Sequence, residues 1–331
     1  MKNKIFLTGS EGFLGSHLLE LLVKKNYNVK ALVQYNSFNN LGWLNNLDPK
    51  VLKEVEITFG DIRDKEFIEN SIKNCSKIIH LAALIGIPYS YHAARSYVDT
   101  NINGTLNLLE AAKKKEIEKF IHTSTSEVYG SAQFVPMTED HPVNPQSPYA
   151  ATKSAADKIA MSYFYSFNMP ITILRPFNIF GPRQSSRAVI PTIINQIKNS
   201  KSNIFLGSKE TSRDFTFVSD TALAFEKALN GKKINGEVIN IGSNFEITIE
   251  DIAKIVNKIF DKNLTIKLDP KRLRPKKSEV TRLFSSNLKA KKLLLWKPQF
   301  TKKEGFKKAL TITCKWFVDD ISNENYKKYI L

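Results

Sequence analysis

The sequence predicts an α/β protein: a doubly wound parallel sheet followed by a smaller C-terminal α/β lobe. Three observations carry this. Short apolar runs alternate with amphipathic helical stretches through the first half, the rhythm of parallel strands joined by right-handed crossovers. The first apolar run leads straight into a glycine-spaced turn. Beyond about Pro176 the rhythm breaks into shorter segments and polar loops. The expected division is 1–175 and 176–331, with an interleaved boundary because late strands can rejoin the sheet.

In chain order, residues 5–7 read as the first strand. Residues 13–23 read as a helix, with Leu14, Leu18, Leu21 and Leu22 on one face. Strands follow at 29–33, 55–59 and 77–81, then a long helix at 96–114, a fifth strand at 119–123, a helix at 149–167 and a sixth strand at 171–174. In the second half, 183–187 and 207–213 read as loops, 238–241 as a strand and 248–260 as a helix. The stretch 269–278 is basic, carries two prolines and reads as a loop; 290–295 and 303–317 read as helices.

Composition narrows the function classes. The chain has 331 residues, 42% apolar and 24% charged, which excludes disorder and low complexity for most of it. No apolar run approaches the ~18 residues of a membrane span, and no secretory leader is expected. Cys75 and Cys314 form no metal-type or disulfide spacing, and the histidines have no ligand spacing, so no metal is expected and a cytoplasmic enzyme is. The net charge of +17 invites a nucleic-acid reading. Residues 251–331, however, hold 21 Lys/Arg against 8 Asp/Glu, whereas the other 250 hold 28 against 24. The excess is C-terminal, and Lys302, Lys303, Lys307 and Lys308 have the helical spacing of a solvated face. No nucleic-acid or membrane partner is expected. Trp43, Trp296 and Trp316 read as packing residues.

The glycine turn is Gly9-x-x-Gly12-x-x-Gly15. Gly9 permits the turn, Gly12 lets backbone approach a pyrophosphate, and Gly15 lets the helix pack closely; with Phe13 and Leu14 they form a dinucleotide cradle at a helix N-terminus, in a Rossmann-like domain. Asp61 after the third strand either accepts from an adenine amino group, with Ile62 on the ring, or caps the next helix. Leu81, Ala82 and Ala83 after the fourth strand are either a ribose contact or a packed strand end. The second strand ends Val33-Gln34-Tyr35-Asn36-Ser37, with neither an acid for a ribose hydroxyl nor a base for a 2′-phosphate. The absence of a base favours NAD and leaves NADP open.

Tyr149 and Lys153 stand at i and i+4 on one helix face, where an ammonium is expected to lower the phenol pKa. Thr125 at the end of the fifth strand is placed to share a substrate-hydroxyl proton with Tyr149. Glu127 puts a carboxylate at the carboxyl end of a central strand, where α/β sheets bind ligands.

Together these residues resemble the extended short-chain dehydrogenase/reductase superfamily. The resemblance covers about residues 1–185 and includes His80-Leu81-Ala82-Ala83, Asn101-x-x-Gly104-Thr105, Ser124-Thr125, Tyr149-x-x-x-Lys153 and Arg175-Pro176-Phe177-Asn178. It implies that Asn101, Tyr149 and Lys153 also touch the cofactor. Thr125-Ser126-Glu127 resembles the triplet of nucleotide-sugar 4,6-dehydratases; UDP-glucuronate decarboxylases carry a similar run, and 4-epimerases usually have a small residue at Glu127. Segments 34–39, 84–91 and 272–280 are similar to a bacterial subgroup that makes 4-keto-6-deoxy N-acetylhexosamine nucleotides for legionaminic-acid-type sugars, with GDP-N-acetylglucosamine as its proposed substrate. The resemblance implies a tightly bound cofactor regenerated each cycle, substrate contacts from Asn178, Arg187, Val189, Arg213 and Arg274, and a homodimer through helices at 93–114 and 149–167. It also places Ser90 and Tyr91 as candidate sugar contacts.

Overall fold

The computed structural model describes residues 4–319. Its strands are β1 (Lys4–Thr8), β2 (Asn28–Gln34), β3 (Val55–Gly60), β4 (Cys75–His80), β5 (Lys119–Thr123), β6 (Ile171–Pro176), β7 (Asn178–Phe180), β8 (Asn203–Leu206), β9 (Ser212–Phe217), β10 (Val238–Ile241), β11 (Glu246–Thr248), β12 (Thr265–Leu268) and β13 (Arg282–Leu283). Seven of them form one parallel sheet in the order β3-β2-β1-β4-β5-β6-β10. The chain leaves β3 at one edge and re-enters at β4 beside β1. That reversal opens a crevice at the carboxyl ends of β1 and β4, the place where such sheets bind ligands.

Both faces of the sheet are covered, so its strands are apolar on both sides. One face carries helices Phe13–Lys24 and Val218–Leu229, packed on each other through a core that joins Leu18, Leu22, Phe225, Ile239, Leu294 and Trp296. On the first helix Leu18, Leu19 and Leu22 are buried, while Leu14 and Leu21 sit at the rim; the expected face is rotated by one position. The other face carries Lys65–Ser71, Gly104–Lys114 and Pro148–Phe167.

One sequence expectation changes here. The long helix before β5 is three segments, Ala94–Tyr97, a π-helical turn Val98–Asn103, and Gly104–Lys114. Such turns aim side chains differently from a regular helix, and this one carries Asn101. Helix Val218–Leu229, β10 and residues 288–296 pack with the main sheet. The smaller lobe has its own core, built from helices Val189–Asn199, Ile249–Ile259 and Lys302–Asp319 around β8, β9 and β11, with Phe180, Phe215 and Phe306 in mutual ring contact. On its last helix Phe306, Leu310 and Phe317 face inward, and Lys302, Lys303, Lys307 and Lys308 are exposed. Trp296 is fully buried and its indole N–H donates to the Asp220 carbonyl; Trp43 meets Trp316 edge-on at 5.5 Å.

Candidate active site

The glycine cradle sits at the switch point. Gly9 has φ +66°, and a Cβ there would stand 2.8 Å from Ala82 N, so the turn lies directly on the end of β4. A Cβ on Gly15 would stand 2.0 Å from Gly9 O; only glycine lets helix Phe13–Lys24 approach the turn this closely. That helix begins at Gly12 with no side-chain cap and no acid in its first turn. Its first N–H groups are left for an anion.

Buried hydroxyls tie the cradle to β4. Thr8 Oγ1 accepts from Leu81 N and Ala82 N, both at 3.1 Å, and stands 2.9 Å from His80 Nδ1. His80 Nε2 reaches Thr105 Oγ1 at 3.0 Å, and Thr105 donates on to the Asn101 carbonyl. Burial pushes His80 well below its ordinary pKa, with the His122 and Lys153 charges acting in the same direction, so the ring is neutral. The Asn101 amide is engaged by protein: it bonds Leu84 N, Leu84 O and Thr152 Oγ1. It pins the loop after β4 to the Tyr149 helix. Asp61 is not a helix cap, since Asp64 caps the next helix through Phe67 N. Asp61 is instead gripped by Arg63 at the rim, while Ile62 is buried against Gly104.

Tyr149 and Lys153 enter from helix Pro148–Phe167, which starts with the Ser147 cap and Pro148 in its first turn. Both side chains are buried against the turn after β5. Thr125 caps the short 3₁₀ turn Ser126–Tyr129 by accepting from Glu127 N. This tight turn brings the Thr125 side chain and the Glu127 charge onto the Tyr149 phenol, with Ser126 buried between them in sequence. Glu127 is only 8% exposed and forms no side-chain hydrogen bond or ion pair among the described residues, though its charge acts on Tyr149 and Arg213.

The electrostatics correct one expectation. The Tyr149 phenol is raised, not lowered. Burial is the main cause, and the charge of Glu127 adds to it; the Thr125 side chain pulls the other way. Burial also lowers Lys153 to about 8, against the pull of Asp157. Lys153, itself almost fully buried, does not offset both burial and a neighbouring carboxylate. A cationic nicotinamide ring is the kind of charge this phenol lacks.

Behind this pair lies a network that motif reading missed. Asp157, one turn after Lys153, accepts from Ser124 Oγ at 2.6 Å and from Arg175 Nη2 at 3.0 Å, and its Oδ1 is 3.3 Å from His122 Nε2. Burial alone would raise the Asp157 carboxyl, but His122 and Arg175 outweigh it and hold it low. Arg175 also lies over the Tyr129 ring at 4.8 Å. Tyr97 was missed too: its buried ring meets Tyr149 edge-on at 6.3 Å, and its hydroxyl donates to Gly86 O. The i+4 spacing of Asp157 from Lys153 was its only local signal.

The substrate-side residues come together unevenly. Arg213 lies within β9, not in a loop, and is buried, donating to the carbonyls of Ser212, Val280 and Thr281 and pairing with Glu279 at 3.4 Å. Arg274 stands 3.9 Å from the same carboxylate, with its buried Nη1 lacking a hydrogen bond. Asn178 at the start of β7 keeps a buried, unpartnered Oδ1. Arg187 is exposed, with its charge felt at the Tyr97 hydroxyl. Val189 opens its helix and packs on the smaller core. Ser90 is buried and donates to Ile87 O, so it does not line the cleft. Tyr91 instead meets Ser278 at 2.7 Å, joining the loop after β4 to segment 272–280.

A glycine cradle at a switch point, with a Tyr/Lys pair set against a strand-end Thr-Ser-Glu turn, defines an extended short-chain dehydrogenase/reductase. The family model for GDP-mannose 4,6 dehydratase matches residues 6–309, and the chain belongs to this nucleotide-sugar epimerase/dehydratase family. It is 36% identical to dTDP-D-glucose 4,6-dehydratase of Dictyostelium discoideum over 77% of the chain and 62% of that protein, so it spans under two thirds of that relative's length. It is 33% identical to a putative UDP-glucose 4-epimerase of Methanocaldococcus jannaschii over 92% of the chain and 97% of that protein. The solved structure of the dTDP-glucose 4,6-dehydratase DesIV from Streptomyces venezuelae, with NAD and TYD bound, superposes with TM-score 0.85 at 26% identity, covering 96% of this chain and 98% of that one. No helix among the described residues is long and apolar enough to cross a membrane.

Proposed function

We propose that this chain is an NAD-dependent nucleotide-sugar 4,6-dehydratase acting on a nucleoside-diphosphate N-acetylhexosamine, with GDP-N-acetylglucosamine the best candidate. The observation that carries the dehydratase reading is Glu127, a largely buried residue whose carboxylate forms no hydrogen bond or ion pair among the described residues and whose charge acts on Tyr149. An enzyme that only oxidises and reduces C4 needs no such base at this strand end. The substrate class rests on the resemblance of segments 84–91 and 272–280, which meet where the Tyr91 and Ser278 hydroxyls bond.

The residues fit a dinucleotide. The uncapped helix at Gly12 suits its pyrophosphate, Asp61 and Ile62 its adenine, Leu81–Ala83 its ribose, and Tyr149 and Lys153 its nicotinamide end. Thr123 Oγ1 at the end of β5 is buried without a partner, as a ligand-lined strand end would be. The bound nicotinamide would accept hydride from C4 of the sugar and return it to C6. The chain does the rest. Tyr149, aided by Thr125, takes the C4 hydroxyl proton; Lys153 steadies the phenolate. The resulting ketone acidifies C5, and Glu127 removes that proton. The C6–oxygen bond breaks and the hydroxyl leaves as water, protonated through Glu127, since the Ser126 hydroxyl is a weak acid. A proton then returns to C5. Asn101 acts by position, holding loop and helix together. Asn178 Oδ1 and Arg274 Nη1 are unmet groups awaiting the diphosphate and sugar, with Arg213 bracing segment 279–281 beneath them and Arg187 and Val189 at the nucleoside end. The chain is proposed to work as a homodimer in the cytoplasm.

The test is product mass from GDP- and UDP-linked N-acetylglucosamine and glucose. Loss of one water supports the reading. An unchanged mass with an altered C4 configuration favours the 4-epimerase, whose relatives stand as near as the dehydratases. Loss of carbon dioxide from a UDP-glucuronate control means a decarboxylase.

A further inference from the structure

We propose that Glu11 sets the dinucleotide preference: its carboxylate stands in for the acid missing from the end of β2, accepts from the adenosine 2′-hydroxyl and excludes a 2′-phosphate. This rests on the reading that the glycine cradle holds a nicotinamide dinucleotide. In such domains an acidic residue at the end of the second strand holds the ribose hydroxyls. Here β2 ends at Gln34, and segment 33–42 contains neither acid nor base. The charge comes instead from inside the glycine turn. Glu11 Oε1 accepts from Gln34 N at 2.9 Å, which places the carboxylate at the tip of β2.

Its other oxygen, Oε2, is buried and has no hydrogen-bond partner. No ion pair holds Glu11 among the described residues. The residue is nonetheless fixed in place. Its carbonyl accepts from Trp43 N at 3.0 Å, and the Gly42 backbone lies against its Cβ and Cγ. A fixed acceptor without a donor is an unmet demand that a ligand hydroxyl relieves. Burial raises the Glu11 pKa, the direction that makes such a donor most valuable. The β2 end beside it keeps Tyr35 68% and Phe38 88% exposed, an open edge where a ribose can approach. A 2′-phosphate at the same place would set further negative charge beside a buried carboxylate, which the low local dielectric penalises.

The experiment incubates purified enzyme with an equal mixture of NAD+, NADP+ and NAD+ lacking the adenosine 2′-hydroxyl. Free nucleotide is removed, the protein denatured, and the released dinucleotides quantified by mass spectrometry. The wild type is expected to retain NAD+ over each of the others by about tenfold or more, the worth of a charge-assisted hydrogen bond. Glu11→Gln is expected to narrow the NAD+/NADP+ ratio by about tenfold. A ratio unchanged within about twofold in Glu11→Gln, or equal retention of NAD+ and its 2′-deoxy analogue, overturns the role of Glu11 and leaves the cofactor reading standing. Release of no dinucleotide from the wild type overturns the cofactor reading itself. Should Glu11→Gln not fold, the deoxy analogue on the wild type decides alone.

Discussion

The two sides of the cleft manage buried charge in opposite ways. Behind the end of β5, Asp157 is met by Ser124 and Arg175, with His122 beside it, and Arg175 is further covered by Tyr129. Around β9 and segment 272–280, Arg213 is spent on backbone carbonyls while Arg274 Nη1 and Asn178 Oδ1 stay unmet. The charges behind the redox pair are matched to one another before any ligand arrives, and only Thr123 Oγ1 and Glu127 at the site itself stay open; the substrate side leaves its own charged and amide groups for the ligand to satisfy. A hydride must move along one geometry, so its scaffold is rigid. A diphosphate can be gathered by groups that tighten on binding.

Mutations that remove one side should therefore differ in kind. Glu127→Gln should cost the largest factor, about 10²–10⁴ in turnover. Oxidation at C4, seen as transient absorbance of reduced nicotinamide, should persist; normal water release would remove Glu127 from the chemistry. Asp157→Asn should destabilise the fold by about 3 kcal/mol, because Arg175 is left buried without its counter-charge; urea unfolding measures this, and a change near zero would show that the network is not needed behind β5. Arg274→Ala should instead leave stability nearly unchanged and raise KM about tenfold with little change in kcat. Equal loss in both constants would place Arg274 in the redox half.

One effect on stability has an unusual sign. Lys153 titrates at about 8 in the folded chain against 10.5 unfolded, so its burial as an ammonium costs stability at lower pH. Below pH 8 the cost is fully present; as pH rises from there to 10.5 the unfolded chain holds the extra proton and the cost fades. Lys153→Met should abolish turnover yet stabilise the ligand-free protein by about 2 kcal/mol at neutral pH, with the gain shrinking toward pH 10. Thermal melts across that range check it.

Much of this was legible in the chain itself. The parallel sheet, the cradle at Gly9, Gly12 and Gly15, and the Tyr149/Lys153 and Thr125–Glu127 sets are each written within a few consecutive residues. Strand period, turn geometry and helical spacing act over that same range, so local chemistry reveals them. The tertiary structure decided what depends on distant neighbours. It broke the long helix before β5 with a π-helical turn, and it moved Arg213 from a loop into a buried strand. It raised Tyr149 where helical spacing to Lys153 alone implied lowering, because burial and the charge of Glu127 are properties of packing. And it set Glu11, from the turn after β1, at the empty end of β2. Sequence determines which groups are available and how they are locally spaced; only folding determines which of them lose water, and with whom they share the space that remains.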